Sequence, residues 1–145
     1  MAVSINEFAR RWNNLKSFVV SDIDRIADDN SALIEEMQRK RLSKGKNIEG
    51  KTIQRGYSPG YAKRRKKKGL QTNYVDLNFT GEFYESLELT ETNPGEYTTI
   101  SYAEHAKYIL DKYIGVLGLD KEDSKKLKGL MLIELNNSIK RYLVG

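Results

Sequence analysis

Lys63-Arg64-Arg65-Lys66-Lys67-Lys68 is the stretch of this sequence whose residue types and spacing point most directly at chemistry. These six cations exceed the formal net charge of +5, so the rest of the 145-residue chain is close to balanced. A local run of this kind contacts phosphates, with the salt sensitivity of counterion release, or docks on an acidic protein surface. Both occupants are open from the residues alone. Tyr57, Tyr61 and Tyr74 lie close enough in sequence to stack on bases. Nothing here, however, has the form of a recognition helix or a base-stacking platform.

Catalytic chemistry finds little to work with. His105 is the only histidine and there is no cysteine, so neither a zinc site nor a thiolate nucleophile is expected. No serine sits in a nucleophile elbow, and Gly45, Gly50 and Gly56 do not form a phosphate-cradling loop between a strand and a helix. Glu82 with Glu85, and Glu122 with Asp123, fall at expected helix starts, where carboxylates complement the helix dipole. The expectation is a non-enzymatic protein with no catalytic residue, metal or cofactor. No apolar run approaches the roughly 20 residues that span a bilayer, and the first residues lack the apolar segment of a secretory signal. A cytosolic setting without membrane contact is expected.

The elements that must position the basic run come next. Ser4 caps a helix beginning at Ile5, with Glu7 at the capping-box position. Phe8, Trp12, Leu15, Val19, Ile23, Ile26, Leu33 and Met37 then recur at threes and fours, a single apolar stripe. The stripe predicts either one helix of about forty residues, about 60 Å long, or two helices joined at Asp28–Ser31. One helix of that length exceeds what a small domain covers, which makes Phe8, Trp12, Leu15 and Val19 an expected assembly interface. The alternative is a helical hairpin closing its own core. Lys44 to Gly56, with its glycines, is a loop or a weak bent hairpin anchored by Ile48 and Ile53.

Ser58 and Pro59 start a second helix that stops at Gly69. Tyr57 and Tyr61 are expected against the body. The cations that follow wrap round the helix, so its C-terminal half is expected to bury no face. Val75-Asp76-Leu77 is a short extended piece, Thr80-Gly81 a turn, and Phe83-Tyr84 a helical turn. Leu87–Thr92 and Tyr97–Tyr102 flank Asn93-Pro94-Gly95-Glu96 as an antiparallel hairpin. Ala106, Ile109, Leu110 and Tyr113 make a helical face ended by Gly115 and Gly118. Asp120 caps a last helix whose apolar residues, Leu127 to Leu143, predict that it is largely buried, in its own core or at an interface. The fold class is α+β: a long N-terminal helix or helical hairpin, a small antiparallel sheet, and a C-terminal helix packed on it. The chain reads as one domain, with residues 1–43 a helical arm and 57–145 the α+β core.

The order of these motifs resembles a known family. Tyr57-Ser-Pro-Gly-Tyr-Ala-Lys63 is followed by Val75-Asp-Leu77, Phe79-Thr-Gly81, Phe83 to Ser86, a strand pair, Tyr102-Ala103, and Leu117-Gly-Leu119-Asp120. This is similar to tailed-bacteriophage virion-morphogenesis, or tail-completion, proteins of the head–tail joining region. Leu77, Thr80, Gly81 and Ser86 stand at positions matching that family's pattern, as do Leu117, Gly118 and Leu119. The similarity runs from about Gly56 to the C-terminus, and the hexabasic run departs from it. It implies a structural virion protein that forms a ring, six-fold or twelve-fold, at the neck or tail top. The implied neighbours are portal, connector or tail-tube proteins and passing double-stranded DNA, and the implied location is the virion, with the host cytoplasm during assembly. A small, non-sequence-specific nucleic-acid-binding module using Lys63 to Lys68 is the alternative.

Overall fold

The computed structural model describes residues 3–53 and 56–145. Residues 54 and 55, part of the expected loop over Lys44–Gly56, lie outside them. Three helices follow in series: α1 (Ile5–Asn13), α2 (Leu15–Asp29) and α3 (Ser31–Ser43). Ser4 caps α1 by accepting from the Glu7 N–H, as its sequence position predicts. The Glu7 carboxylate completes no capping box, because Arg10 and Arg11 both bond to it instead.

The junctions at Asn14 and Asn30 decide between one rod and joined helices: the chain breaks at Asn30, inside the joint expected at Asp28–Ser31, and again at Asn14, which was not expected. At both residues ψ opens to near 0°, 2° and 4° respectively. Each following helix starts again from these residues, with Phe18 N–H on the Asn14 carbonyl at 3.1 Å and Ile34 N–H on that of Asn30 at 3.0 Å. At the second junction the Asn30 amide donates to the Ile26 carbonyl, the side-chain competition that loosens helices at asparagine.

The partner of the arm comes from the other end of the chain. Helix α7 (Lys121–Val144) runs antiparallel along α1 and α2. Asn30 meets Glu134, Arg25 meets Ser138, and Phe18 stacks on Tyr142 with ring centroids 4.0 Å apart. Arg11 reaches the Tyr142 carbonyl at 2.8 Å. The expected placement of the C-terminal helix on the sheet is therefore corrected. Its Met131, Ser138 and Tyr142 side faces α2, and the helix lying against the sheet is α3.

The sheet is a hairpin of β1 (Leu87–Asn93) and β2 (Glu96–Ser101), turning at Pro94-Gly95, with Leu87 opposite Ser101 and Thr90 opposite Thr98. The class is α+β, as the sequence predicts. An isolated two-stranded ribbon is marginal in water. Here its Leu87 and Thr99 face is buried under α3, where Gln38 donates to Thr99 at 2.6 Å. The apolar core joins Leu42 and Ile53 to Val75, Phe83, Leu87, Ala106, Ile109, Tyr113 and Val116. Leu42 belongs to the arm in sequence yet to the core in space, and α7 the reverse.

Two short helices complete the frame, α5 (Glu82–Glu85) and α6 (Ala106–Lys112). Between Lys44 and Ile53 the chain forms the weak hairpin foreseen, with one bridge pairing Lys46 and Thr52. Ile53 is buried, while Ile48 stays at the surface and gives its N–H to the Gly115 carbonyl. The 116–118 turn is held from α3. Arg41 donates to the Val116 and Gly118 carbonyls, and the Gly118 N–H donates to Gln38. Burial lowers the Arg41 pKa from its ordinary value, against the opposing pull of Asp120 and Asp123.

Glu7 supplies a pH test of the arm. Hydrogen bonds from Arg10 and then Arg11 lower its carboxyl pKa to about 2. A depressed carboxyl pKa stabilises the folded state above the group's ordinary pKa, and that contribution is lost as pH falls through the folded one. The Glu7 carboxyl resonance is therefore expected to titrate near pH 2, and Glu7→Gln to remove the acid-dependent fraying of α1. A titration midpoint above pH 4 contradicts the pairing.

Candidate functional site

Helix α4 (Pro59–Lys67) carries the basic run, started by Ser58, whose hydroxyl accepts from the Tyr61 N–H. At about 100° per residue, Tyr61, Arg64, Arg65 and Lys68 occupy one half of the helix and Lys63, Lys66 and Lys67 the other. In the first half Arg65 turns into the body and is 0% exposed, while Arg64 and Lys68 on either side of it are exposed. This corrects the expectation that no face could be buried. It also removes Arg65 from the residues available to a polyanion or an acidic partner. Its Nη2 contacts both Asp76 oxygens at 2.9 Å, Nε donates to the Gln71 carbonyl, and Nη1 to that of Asn78. The guanidinium also lies 4.4 Å from the Tyr57 ring centroid. A buried cation is tolerated only when paired and fully hydrogen-bonded, and Arg65 is both.

Asp76 is the other half of that arrangement. Its carboxylate also accepts from Gln71, the Asn78 N–H and the Tyr57 hydroxyl, which in turn accepts from the Asp76 N–H. Tyr84 donates its hydroxyl to the Asp76 carbonyl. Burial, the largest cause, raises the pKa of both phenols, Tyr57 and Tyr84. Val75-Asp76-Leu77 is thus no strand. Leu77 has φ +56°, a turn imposed by the bonds converging on Asp76.

Beside α4 lies a cleft of about 250 Å³, walled by Tyr57, Tyr61 and Phe79 on one side and by Tyr108 of α6 and Tyr113 just after it on the other. Arg64 stands 6.0 Å from the Tyr61 centroid and 5.7 Å from that of Phe79, and Lys68 is 4.8 Å from Phe79. Across the cleft Lys112 is 5.1 Å from the Tyr113 centroid. Lys63, Lys66 and Lys67 are exposed and make no ion pair with the described residues. Phe79, Tyr108, Lys112 and Tyr113 complete this cluster, and none was foreseen as part of it. Their separation from α4 in sequence hides a contact made only in the fold.

Thr80 and Gly81 form the turn expected at the edge of the cleft. Gly81 has φ +91° and caps α5, while the Thr80 hydroxyl accepts from the Glu82 N–H. His105 is half-exposed at the start of α6, 3.7 Å from Glu82. Glu122 and Asp123 lie in the first turn of α7, where Glu122 pairs with Lys126. Among the described residues no group of three or more His, Cys, Asp or Glu side chains could hold a metal ion. No helix among them is long and apolar enough to cross a membrane.

The second candidate surface lies along the paired helices. Leu15 and Val19 are half-buried, but Phe8 and Trp12 stack on each other at 6.3 Å in the open, and Trp12 is 58% exposed. On α7, Ser138 is the only buried residue, so the expectation of a largely buried helix is not met within one chain. Leu130, Leu132, Ile133 and Val144 are all exposed, Ile133 by 62%. Around the helix these positions point away from α2 in several directions. A single antiparallel partner cannot cover them.

Comparison of the chain with protein-family models, with curated proteins and with solved structures finds no match.

Proposed function

We propose that this protein is a structural component of the phage head–tail interface, a neck or tail-completion ring. It acts by oligomeric assembly with portal, connector or tail-tube proteins and not by catalysis. The observation that carries this reading is the apolar surface of the helix pair. A helix with apolar residues all round belongs in a core or an interface, and α7 lacks such cover within its own chain. Exposed apolar area of this extent marks an association surface on a folded protein. The order of motifs from Tyr57 to Asp120 supports the choice of family by resemblance.

The test is native mass together with virion assembly. The wild-type chain is expected to sediment as a closed ring. A Trp12→Glu/Ile133→Glu double variant is expected to run as a monomer with an unchanged circular dichroism spectrum, since exposed substitutions usually alter stability by only about 0.5 kcal/mol. A phage strain lacking the chain is expected to accumulate unjoined heads or incomplete tails. A wild-type monomer at assembly concentrations, or normal joined virions from the deletion strain, overturns the reading.

A further inference from the structure

We infer that the cleft between α4, the 77–81 turn and α6 binds a nucleotide, free or as an unpaired residue of a single strand. The base lies among the aromatic rings and the phosphate towards the cations that stand beside them. The site is independent of the assembly reading, because every group in it comes from one chain.

Size and shape come first. About 250 Å³ between the Tyr61–Phe79 wall and the Tyr108–Tyr113 wall holds one flat ring system and little more. Base–aromatic stacking is tolerant of sequence because every base presents a π-face. Charge comes second. Arg64 and Lys68 stand over the Phe79 ring of one wall, and Lys112, which itself lines the cleft, over the Tyr113 ring of the other. Of the acids beside it, Asp76 is held by Arg65 and Glu82 lies 3.7 Å from His105. From Arg64 the positive surface continues round α4 through Lys67 to Lys63, an arc that neighbouring phosphates of a strand can follow.

The committed polar groups decide between a nucleotide and an acidic peptide. One common way of gripping an extended peptide adds it to a strand edge. This cleft is built from two helices and a turn and offers none. Its Tyr57 hydroxyl is bonded to Asp76 in both directions, its Ser58 hydroxyl caps α4, and its Thr80 hydroxyl serves Glu82. A stacked ring with an outward phosphate needs none of these engaged groups. Binding is therefore expected to show little base preference.

The experiment is fluorescence anisotropy of a labelled oligothymidylate of about ten nucleotides titrated with the full chain across a salt series. The wild-type protein is expected to bind the strand more tightly than a duplex of equal length. Tyr108→Ala removes a largely exposed ring that the fold does not need. It is expected to weaken binding roughly five- to hundred-fold without changing the salt slope. Lys63→Gln/Lys66→Gln/Lys67→Gln is expected to flatten that slope by about two units. Displacement of the strand by millimolar thymidine monophosphate assigns the site to nucleotides in general, and binding that persists assigns it to strands. Wild-type affinity in Tyr108→Ala, equal or tighter binding of the duplex, or displacement by an aspartate-rich peptide at the same concentration overturns the inference.

Discussion

Arg65→Ala is expected to lower the unfolding free energy by about 3–5 kcal/mol, because it leaves Asp76 buried without its cation. For a chain of this size that corresponds to a drop in Tm of roughly 10 °C. Its neighbours in the same run behave differently. Lys63→Ala, Lys66→Ala and Lys67→Ala, at exposed positions, are each expected within about 0.5 kcal/mol of wild type. Arg65→Lys is expected to rescue little. One ammonium cannot reach the Gln71 carbonyl, the Asn78 carbonyl and both Asp76 oxygens at once, as the planar guanidinium does. Arg65→Met/Asp76→Leu is expected to recover part of the loss, since replacing both partners removes the orphaned charge. Urea denaturation of the series decides the matter. Equal midpoints for Arg65→Ala and Lys66→Ala are incompatible with this buried pair.

Gly45→Ala is the second large effect, expected to cost about 2–5 kcal/mol from its two contributions together. The residue sits at φ +66°, and a Cβ there falls 2.5 Å from Cδ2 of the Tyr74 ring. Gly45 cannot easily shift, because its N–H is bonded to the Leu42 carbonyl and its carbonyl to the Ile53 N–H, both core residues. Gly50 provides the control. It has a similar φ of +72° with nothing within 4 Å of the added carbon, so Gly50→Ala carries the dihedral cost alone, about 1–2 kcal/mol. The difference between the two isolates the steric contact with Tyr74, and Tyr74→Ala is expected to relieve it in the Gly45→Ala background. Equal costs for the two alanines mean that the ring yields without penalty.

Local chemistry was legible in the sequence and long-range partnership was not. Ser4, Ser58 and Asp120 cap the helices they were expected to cap. A short polar side chain at a helix start acts on groups only two or three residues away. The hairpin and the stop near Gly69 were legible for the same reason. The break at Asn30 was visible in its run of polar residues. The break at Asn14 was not, although Asn13-Asn14 carried the same signal.

Arg65 was misjudged because six like charges look interchangeable in sequence. The clue lay in phase, since Arg65 falls one helical turn after Tyr61, on the side turned to the body. Its partner Asp76, eleven residues on, is placed by the turn between them. The cleft and the α1–α2–α7 pairing depend on contacts between distant segments, and no local pattern names which segments will meet.

The pairing of the chain's two ends also bears on how the protein is made. Arg11 and the Tyr142 carbonyl are 131 residues apart in sequence, so the arm emerges from the ribosome long before its cover exists. Residues from α3 to the 116–118 turn can condense first, leaving the Phe18 ring, which stacks on Tyr142 in the fold, in solution until α7 is released. Contacts closing so large a loop form late and slowly. During that wait the arm of one nascent chain can pair with the finished α7 of another. Docking of α7 within one chain and pairing between two nascent chains then compete for the same apolar face, so concentration during synthesis biases which of them occurs.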